Sequence, residues 1–353
     1  MLMKVLADVV DAIVGADTHR DTHHLALAAP TGVVIAELEI GNHDAGFAQA
    51  LRWIERNAPG PNVVAAVEGT RSYGVGLCRA MSGAGRVVVE VERPRRQDRR
   101  RGKSDAGDAR LACLAGLRMP VDRLPTPRRD GVREALRILL AARRDLSIGR
   151  TAQVNRLRAL LLTGDDADRA VSRGVLNDRV LAGIARRRGP TGDHDVQRVV
   201  ARGEAKRLAR AIRLANTDLA ENKRALQGLV AGAAPGLLEL TGVGPVSSAQ
   251  ALVSWSHPGR CRSEAAFASL SGASPIPASS GQTHRFRLNR GGDRALNRAL
   301  HDIVLTRWRV CPRTQAYVAR RRAEGMSDSD IRRCLKRYVA RELFRVMEAS
   351  SMS

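Results

Sequence analysis

Aromatic residues make up only 3% of this 353-residue chain. That scarcity excludes a base-stacking platform built like an RNA-recognition sheet, which needs several exposed rings. Cysteine is also thin: Cys78, Cys113, Cys261, Cys311 and Cys334 are scattered, with no CxxC pair. A disulfide scaffold and a zinc ribbon are therefore excluded, and a reducing, cytoplasmic setting is expected. No apolar run reaches the ~18 residues that a membrane-spanning helix needs. The opening stretch MLMKVLADVVDAIVGAD has one Lys and then acids, a poor signal peptide. No amphipathic terminal helix or lipidation motif points to a membrane surface. Lysine is rare as well, with five of the 59 basic residues; the rest are arginine.

What the chain does have is positive charge. Lys and Arg total 59 against 36 Asp and Glu, a formal net charge of +23 and a pI near 11.3. Such an excess calls for a polyanionic partner, most simply DNA or RNA. Arginine forks match phosphate oxygens bidentately. A GC-rich genome explains the arginine preference equally well, but not the net charge. Hydrophobic residues reach 44%, enough for packed cores, so disorder of the whole chain is excluded. The length suits two or three domains of ~100–200 residues each.

Residues 1–120 alternate short strands and helices. Strands are expected at Ile13–Asp17, His24–Ala29, Gly32–Ile40, Asn62–Val67 and Arg86–Val91. Helices are expected at His43–Asn57, Val75–Met81 and Asp105–Leu117, with a basic loop (RPRRQDRRR) at Arg93–Arg101 that offers Arg95, Arg96, Arg99 and Arg100 to nucleic acid. The order predicts an α/β domain, a mixed sheet with a starting hairpin covered by helices. Residues 121–235 lose the strand signals. Asp130–Leu162 and Glu204–Leu229 read as long, charged, coiled-coil-like helices, while Arg169–Asp195 is left open. Residues 236–353 form a mostly α third block. It holds a GVG turn inside LLELTGVGPVSSAQAL, a short helix end at Phe267–Gly272, and a loop at Ala273–Arg294. Amphipathic helices follow at Ala295–Trp308 and Ser327–Glu348.

Four carboxylates stand at informative places. Asp17 ends the first strand and Glu68 the fourth; Asp105 and Asp108 open the helix that follows the basic loop, three residues apart and so on one face. Gathered on one rim of the sheet, they would hold Mg²⁺, a hard ion that prefers oxygen. Two such ions would clamp a phosphodiester during in-line displacement. Taken singly, each acid reads as a turn or cap residue, with Ser104 capping and Asp105 favouring the helix dipole. His19, His23 and His24 in DTHRDTHH read as polar residues of a turn and strand start rather than metal ligands. TGVGP resembles the turn of a helix-hairpin-helix unit, where backbone amides near Gly242 and Gly244 would meet a DNA phosphate; a plain tight turn fits equally. Ser279-Ser280-Gly281 precedes QTHRFRLNRGGDR, in which Arg285, Arg287 and Arg290 are placed to hold a phosphate. Unaided, these serines read as loop residues, since a hydroxyl needs activation to attack.

GADTHRDTHHLAL, AAVEGTRSYG and GKSDAGDARLA, in this order, resemble the three motif blocks of the DEDD transposases of insertion sequences, the IS-one-ten and IS-eleven-eleven group. LLELTGVGPVSSAQAL, FASLSGASPIPASSG and RALNRAL resemble the second domain of that family. The resemblance implies a RuvC-like domain of the RNase H fold over 1–120, a helical linker over 121–235 and a transposase domain over 236–353. It implies Asp17, Glu68, Asp105 and Asp108 as the ligands of Mg²⁺. It implies Ser280, directly before Gly281, as a nucleophile forming a covalent phosphoserine link to DNA, at a site composed between subunits. A structured guide RNA from the element's own ends, and dimers assembling into tetramers on the nucleoid, are implied as well. Two rival readings remain at this point. One is a metal-dependent junction nuclease that uses water and leaves Ser280 dispensable. The other is a non-catalytic nucleic-acid protein, which explains the charge but not the four acids.

Overall fold

Residues 12–16 and 25–28 are continuous apolar runs buried on both faces, and 34–39 alternates between half-buried and exposed; these stretches belong to three antiparallel-connected strands, β1 (Ala12–Thr18), β2 (Thr22–Ala28) and β3 (Val34–Gly41). The computed structural model describes residues 4–70, 72–92, 105–127, 131–188, 196–278, 286–287 and 289–350. After α1 (Asp44–Asn57), strand β4 (Val63–Glu68) returns parallel to β1, and after α2 (Val75–Gly83), β5 (Val88–Val91) lies parallel to β4. Both crossovers carry a helix, as parallel pairing requires. The sheet order is β3-β2-β1-β4-β5, and the element order expected for residues 13–117 is the one observed.

The sheet has a core on each face. Ala12, Val14 and Ala16 of β1, with Leu25, Leu27, Val63, Ala65 and Val67, pack under α1 and α2 through Phe47, Trp53, Ile54, Leu77 and Met81. The alternate residues Ile13, Ala26, Ala28, Val64 and Ala66 face the other way, against Ala109, Ala112, Cys113 and Leu117 of α3 (Asp105–Leu117). The chain divides into two compact units, Met1–Glu134 and Ala135–Ser353, and this sheet with its helices is the first.

Almost all of the second unit is helical. Two long helices, α4 (Gly131–Leu162) and α7 (Val196–Ala233), run antiparallel. The Arg143 guanidinium donates to the Leu219 carbonyl (2.9 Å), and Arg150 reaches Asn216 (2.5 Å). Between them the stretch left open in sequence forms α5 (Asp166–Arg173) and α6 (Asp178–Arg186), capped by Asp165 and Asn177. Leu157, Leu161, Leu181, Ile184, Leu208 and Ile212 fill the core there.

The remainder packs α8 (Gly236–Glu239), α9 (Pro245–Trp255), α10 (Glu264–Leu270), α11 (Arg294–Val310), α12 (Pro312–Ala323) and α13 (Asp328–Ser350) around Phe267, Leu296, Leu300, Ile303, Ile331 and Leu343. The loop expected over Ala273–Arg294 holds a short antiparallel ribbon. Ile276 of β6 (Ile276–Pro277) pairs with Arg287 of β7 (Phe286–Arg287). Two residues per strand are too few to show the alternation that marks a strand in sequence. Among the described residues no helix is long and apolar enough to cross a membrane.

Candidate metal centre of the first unit

The site is built by the face of the sheet that α3 covers. Period two places Asp17 on the same face as Ile13 and Gly15, and Glu68 on the same face as Val64 and Ala66. β1 and β4 are parallel with Ala16 opposite Val67, so Asp17 and Glu68 stand at the same level on neighbouring strand ends. The Thr18 hydroxyl donates to the Glu68 carbonyl (2.9 Å) and ties the two ends together. Directly after Glu68 the chain turns through Gly69 at φ +68°. A Cβ there would sit 2.6 Å from Thr18 Oγ1, so this corner needs glycine.

Helix α3 delivers the other two acids. Its sheet-facing stripe is small along most of its length, Asp108, Ala109, Ala112, Cys113 and Gly116 at helical spacing before Leu117, which lets the helix lie close against the strands. The approach is closest over Gly15: a Cβ there would meet the Ala109 carbonyl at 2.1 Å and the Cys113 backbone nitrogen at 2.6 Å. Gly15 N–H donates to Cys113 Sγ (3.0 Å), whose thiol donates to the Ala26 carbonyl (3.2 Å). Burial pushes the Cys113 thiol up to about 12, so it stays protonated and acts as a tie between helix and sheet. On the outer side Arg110 holds Glu37 of β3 through two hydrogen bonds (2.5 and 2.8 Å), which keeps the Glu37 carboxyl below the usual carboxylate range.

Asp17 and Asp105 thereby come together. With His19 they form a group whose ligand atoms all lie within 4.8 Å of one another. His19 Nε2 lies 3.1 Å from Asp17 Oδ2 and 3.5 Å from Asp105 Oδ1. His24, opposite Asp17 on β2, reaches Glu39 at 3.3 Å and Asp105 at 3.8 Å. Asp17 is 5% exposed and Asp108 3%. Glu68 and Asp108 are not members of the 4.8 Å group, although both sit on the same covered face, Asp108 one turn into α3 from Asp105.

This donor set suits a divalent cation. Two carboxylates this close, one of them buried, repel unless a positive charge lies between them, and hard oxygen donors are what such ions take. Histidines supply the polar surroundings of the acids, and His19, expected as a polar turn residue, lies close enough to Asp17 and Asp105 to serve as a ligand. The signal was present as an imidazole two residues beyond a strand-ending aspartate. Its meaning depended on where the start of α3 would fall. His23, by contrast, is fully buried on the opposite face, stacked on Phe47 at 6.0 Å, as a packing residue.

Of the other candidates, Ser279, Ser280, Arg285, Arg95, Arg96, Arg99 and Arg100 lie outside the described residues. The base of the serine segment is described and well anchored. Asp293 N–H donates to the Leu270 carbonyl (2.7 Å), Asn289 Nδ2 to the Ser269 carbonyl (3.2 Å) and Asn297 Nδ2 to the Ser271 carbonyl (2.7 Å). Arg287 and Arg290 stand exposed beside it. Gly242 and Gly244 form the turn between α8 and α9. Arg307 of α11 donates to the Thr241 carbonyl (2.7 Å), and the Gly244 N–H donates to Ser247 Oγ (3.0 Å).

Two family models match the chain. One, described as a transposase and named for the DEDD transposase of IS110, matches residues 14–164, which include all four acids. The other, described as the transposase IS116/IS110/IS902 family, matches residues 234–319, which include the serine segment. No curated protein matches the chain.

Proposed function

This chain belongs to the IS110-type DEDD transposases of mobile elements, and from that premise we propose that it excises and inserts DNA through a serine nucleophile and a Mg²⁺-dependent carboxylate site. The observation that carries the reading is the meeting of Asp17 and Asp105 at the end of β1, beside the sheet face that bears Glu68 and that α3 covers with Asp108. The sheet order, with β2 antiparallel and β4 parallel to a central β1, supports an RNase H-like, RuvC-like first domain. The functional division we adopt is 1–120, a coiled-coil-like linker over 121–235, and a transposase domain over 236–353 with a helix-hairpin-helix-like turn at Gly242 and Gly244.

Asp17, Glu68, Asp105 and Asp108 are the residues that would hold Mg²⁺. When bound there, the ion supplies charge neutralisation and Lewis acidity at a scissile phosphate. His19 keeps the Asp17 and Asp105 carboxylates aligned by bridging them. Arg285, Arg287 and Arg290 draw the phosphate towards the serine segment and offset the charge that grows on its oxygens. Ser280 Oγ forms a bond to phosphorus, and the 3′ oxygen of the cut strand leaves. The resulting phosphoserine conserves the energy of the broken bond, and a free 3′-OH of the exchanged strand then displaces the serine. In this reading the protein works in the cytoplasm on the nucleoid. Element-end and target DNA are its substrates and a structured guide RNA its partner, and dimers assemble into tetramers so that the two half-sites complete each other.

The test is a covalent-adduct trap. Protein, RNA transcribed from the element's flanks, labelled element-end DNA and Mg²⁺ are combined and run on a denaturing gel beside Ser280→Ala, Ser279→Ala and Asp17→Asn. An adduct lost in Ser280→Ala and Asp17→Asn but kept in Ser279→Ala is expected. DNA cleaved without any adduct would transfer the reading to a hydrolytic junction nuclease.

A further inference from the structure

The second unit holds a groove of about 1220 Å³ lined by the α8–α9 turn and by α11, α12 and α13. That exceeds the ~300–1,000 Å³ common for small-molecule pockets and suits a stretch of polymer. Its lining carries five arginines against two glutamates, Glu239 and Glu342. Arg307 is committed to the wall: it binds Glu342 (2.6 Å) and the Thr241 carbonyl (2.7 Å). Arg341 and Arg345 share Glu264, at 3.3 and 2.9 Å. Arg313 is exposed at the start of α12 and forms no ion pair among the described residues.

The groove also collects aromatic rings in a chain that has very few. Two of its three tyrosines, Tyr317 and Tyr338, line it. Tyr317 is held in place by Arg320 and Arg321 (5.4 and 5.8 Å from its centroid) and meets Tyr338 edge to face at 5.8 Å and 84°. Tyr338 is braced in this way yet 54% exposed. Bare phosphate or an acidic peptide would engage the arginines and leave this ring unused. Unpaired nucleotides use both, with the base on the ring and the phosphates on the guanidinium groups. A base locked in a duplex cannot present its face.

We propose that this groove is a binding site for single-stranded nucleic acid, with Tyr338 as the stacking surface and Arg313 on the phosphate backbone. The site takes unpaired segments as they pass the transposase domain and needs no base sequence. It deepens the recombinase reading by assigning a nucleic-acid contact away from the carboxylates and the serine segment, and it rests on that reading only for the class of ligand.

Equilibrium binding of labelled single-stranded DNA, single-stranded RNA and a duplex of the same length is measured with the full chain at fixed salt. Tyr338→Ala should weaken both single strands by about tenfold, the order expected for one lost stacking contact, and leave the duplex unchanged. Tyr338→Phe should restore binding, because the ring and not the hydroxyl is used. Arg313→Ala, at an exposed helix start, covers the case in which Tyr338→Ala fails to fold. It should lower the slope of log affinity against log salt by about one phosphate contact. Loss on only one of DNA and RNA would identify which strand the groove takes. Unchanged single-strand affinity in both alanine variants, an equal loss on the duplex, or full competition by polyglutamate would overturn the proposal. The serine-adduct gel is read separately: an adduct with no groove effect removes only the groove, and a groove effect with no adduct removes only the serine mechanism.

Discussion

Gly15 decides how near α3 comes to the sheet, and through that where Asp105 and Asp108 stand. Its substitution by alanine puts a methyl 2.1 Å from a helix backbone carbonyl, which cannot swing aside as a side chain would. Gly15→Ala is therefore expected to destabilise the first unit by about 1–3 kcal/mol, the usual cost of overpacking, read as a lower denaturant midpoint. A midpoint equal to wild type would contradict the close packing. Cys113 makes a second prediction from the same contact. Its raised pKa, about 12, means that thiolate is scarce until the pH approaches that value, whereas hydrogen bonds from Thr314 lower the pKa of the partly exposed Cys311. Iodoacetamide at pH 8, followed by peptide mass mapping, should label Cys311 well before Cys113; equal rates would refute the tie. Asp17 and Glu68 stood out in sequence only as part of a set of four acids at strand ends and a helix start, since each alone reads as a turn residue, and of the two only Asp17 lies in the group that meets Asp105. His19 was not legible, since its partner Asp105 arrives only when α3 docks.

At the scale of elements, the two long helices hold each other through buried polar groups as well as leucines. Asn222, 8% exposed, donates to the Leu139 carbonyl (2.9 Å) across the pair. Asn222→Ala should cost about 1–2 kcal/mol, one buried hydrogen bond with its acceptor stranded, and lower the thermal midpoint of the second unit. No change would show that water replaces the bond. Both long helices were readable from their apolar spacing, as were α11 and α13. Helix α12 was not, because it buries only Thr314 and Val318 and its last turn is a run of arginines. The short α5 and α6 were hidden by their length, although Asp165 and Asn177 are cap residues that could have marked their starts. Ribbon β6–β7 has too few residues for any periodicity.

For the whole molecule, the charge of +23 was visible from composition, but its placement was not: the scarcity of aromatics hid that two tyrosines share one arginine-lined groove. In the function proposed above, affinity for nucleic acid draws on this excess charge and bond breaking on the four acids with their metal. Chelation with EDTA should therefore abolish strand cleavage and leave DNA binding at fixed ionic strength near its original value, measured side by side on the same preparation. Cleavage that survives chelation would remove the metal from the mechanism. Finally, α7 has 38 residues without a break. At 1.5 Å per residue it is a rod of about 57 Å. Shortening such a rod would break backbone hydrogen bonds along it, so whatever stands at its two ends is held at a spacing the fold itself sets.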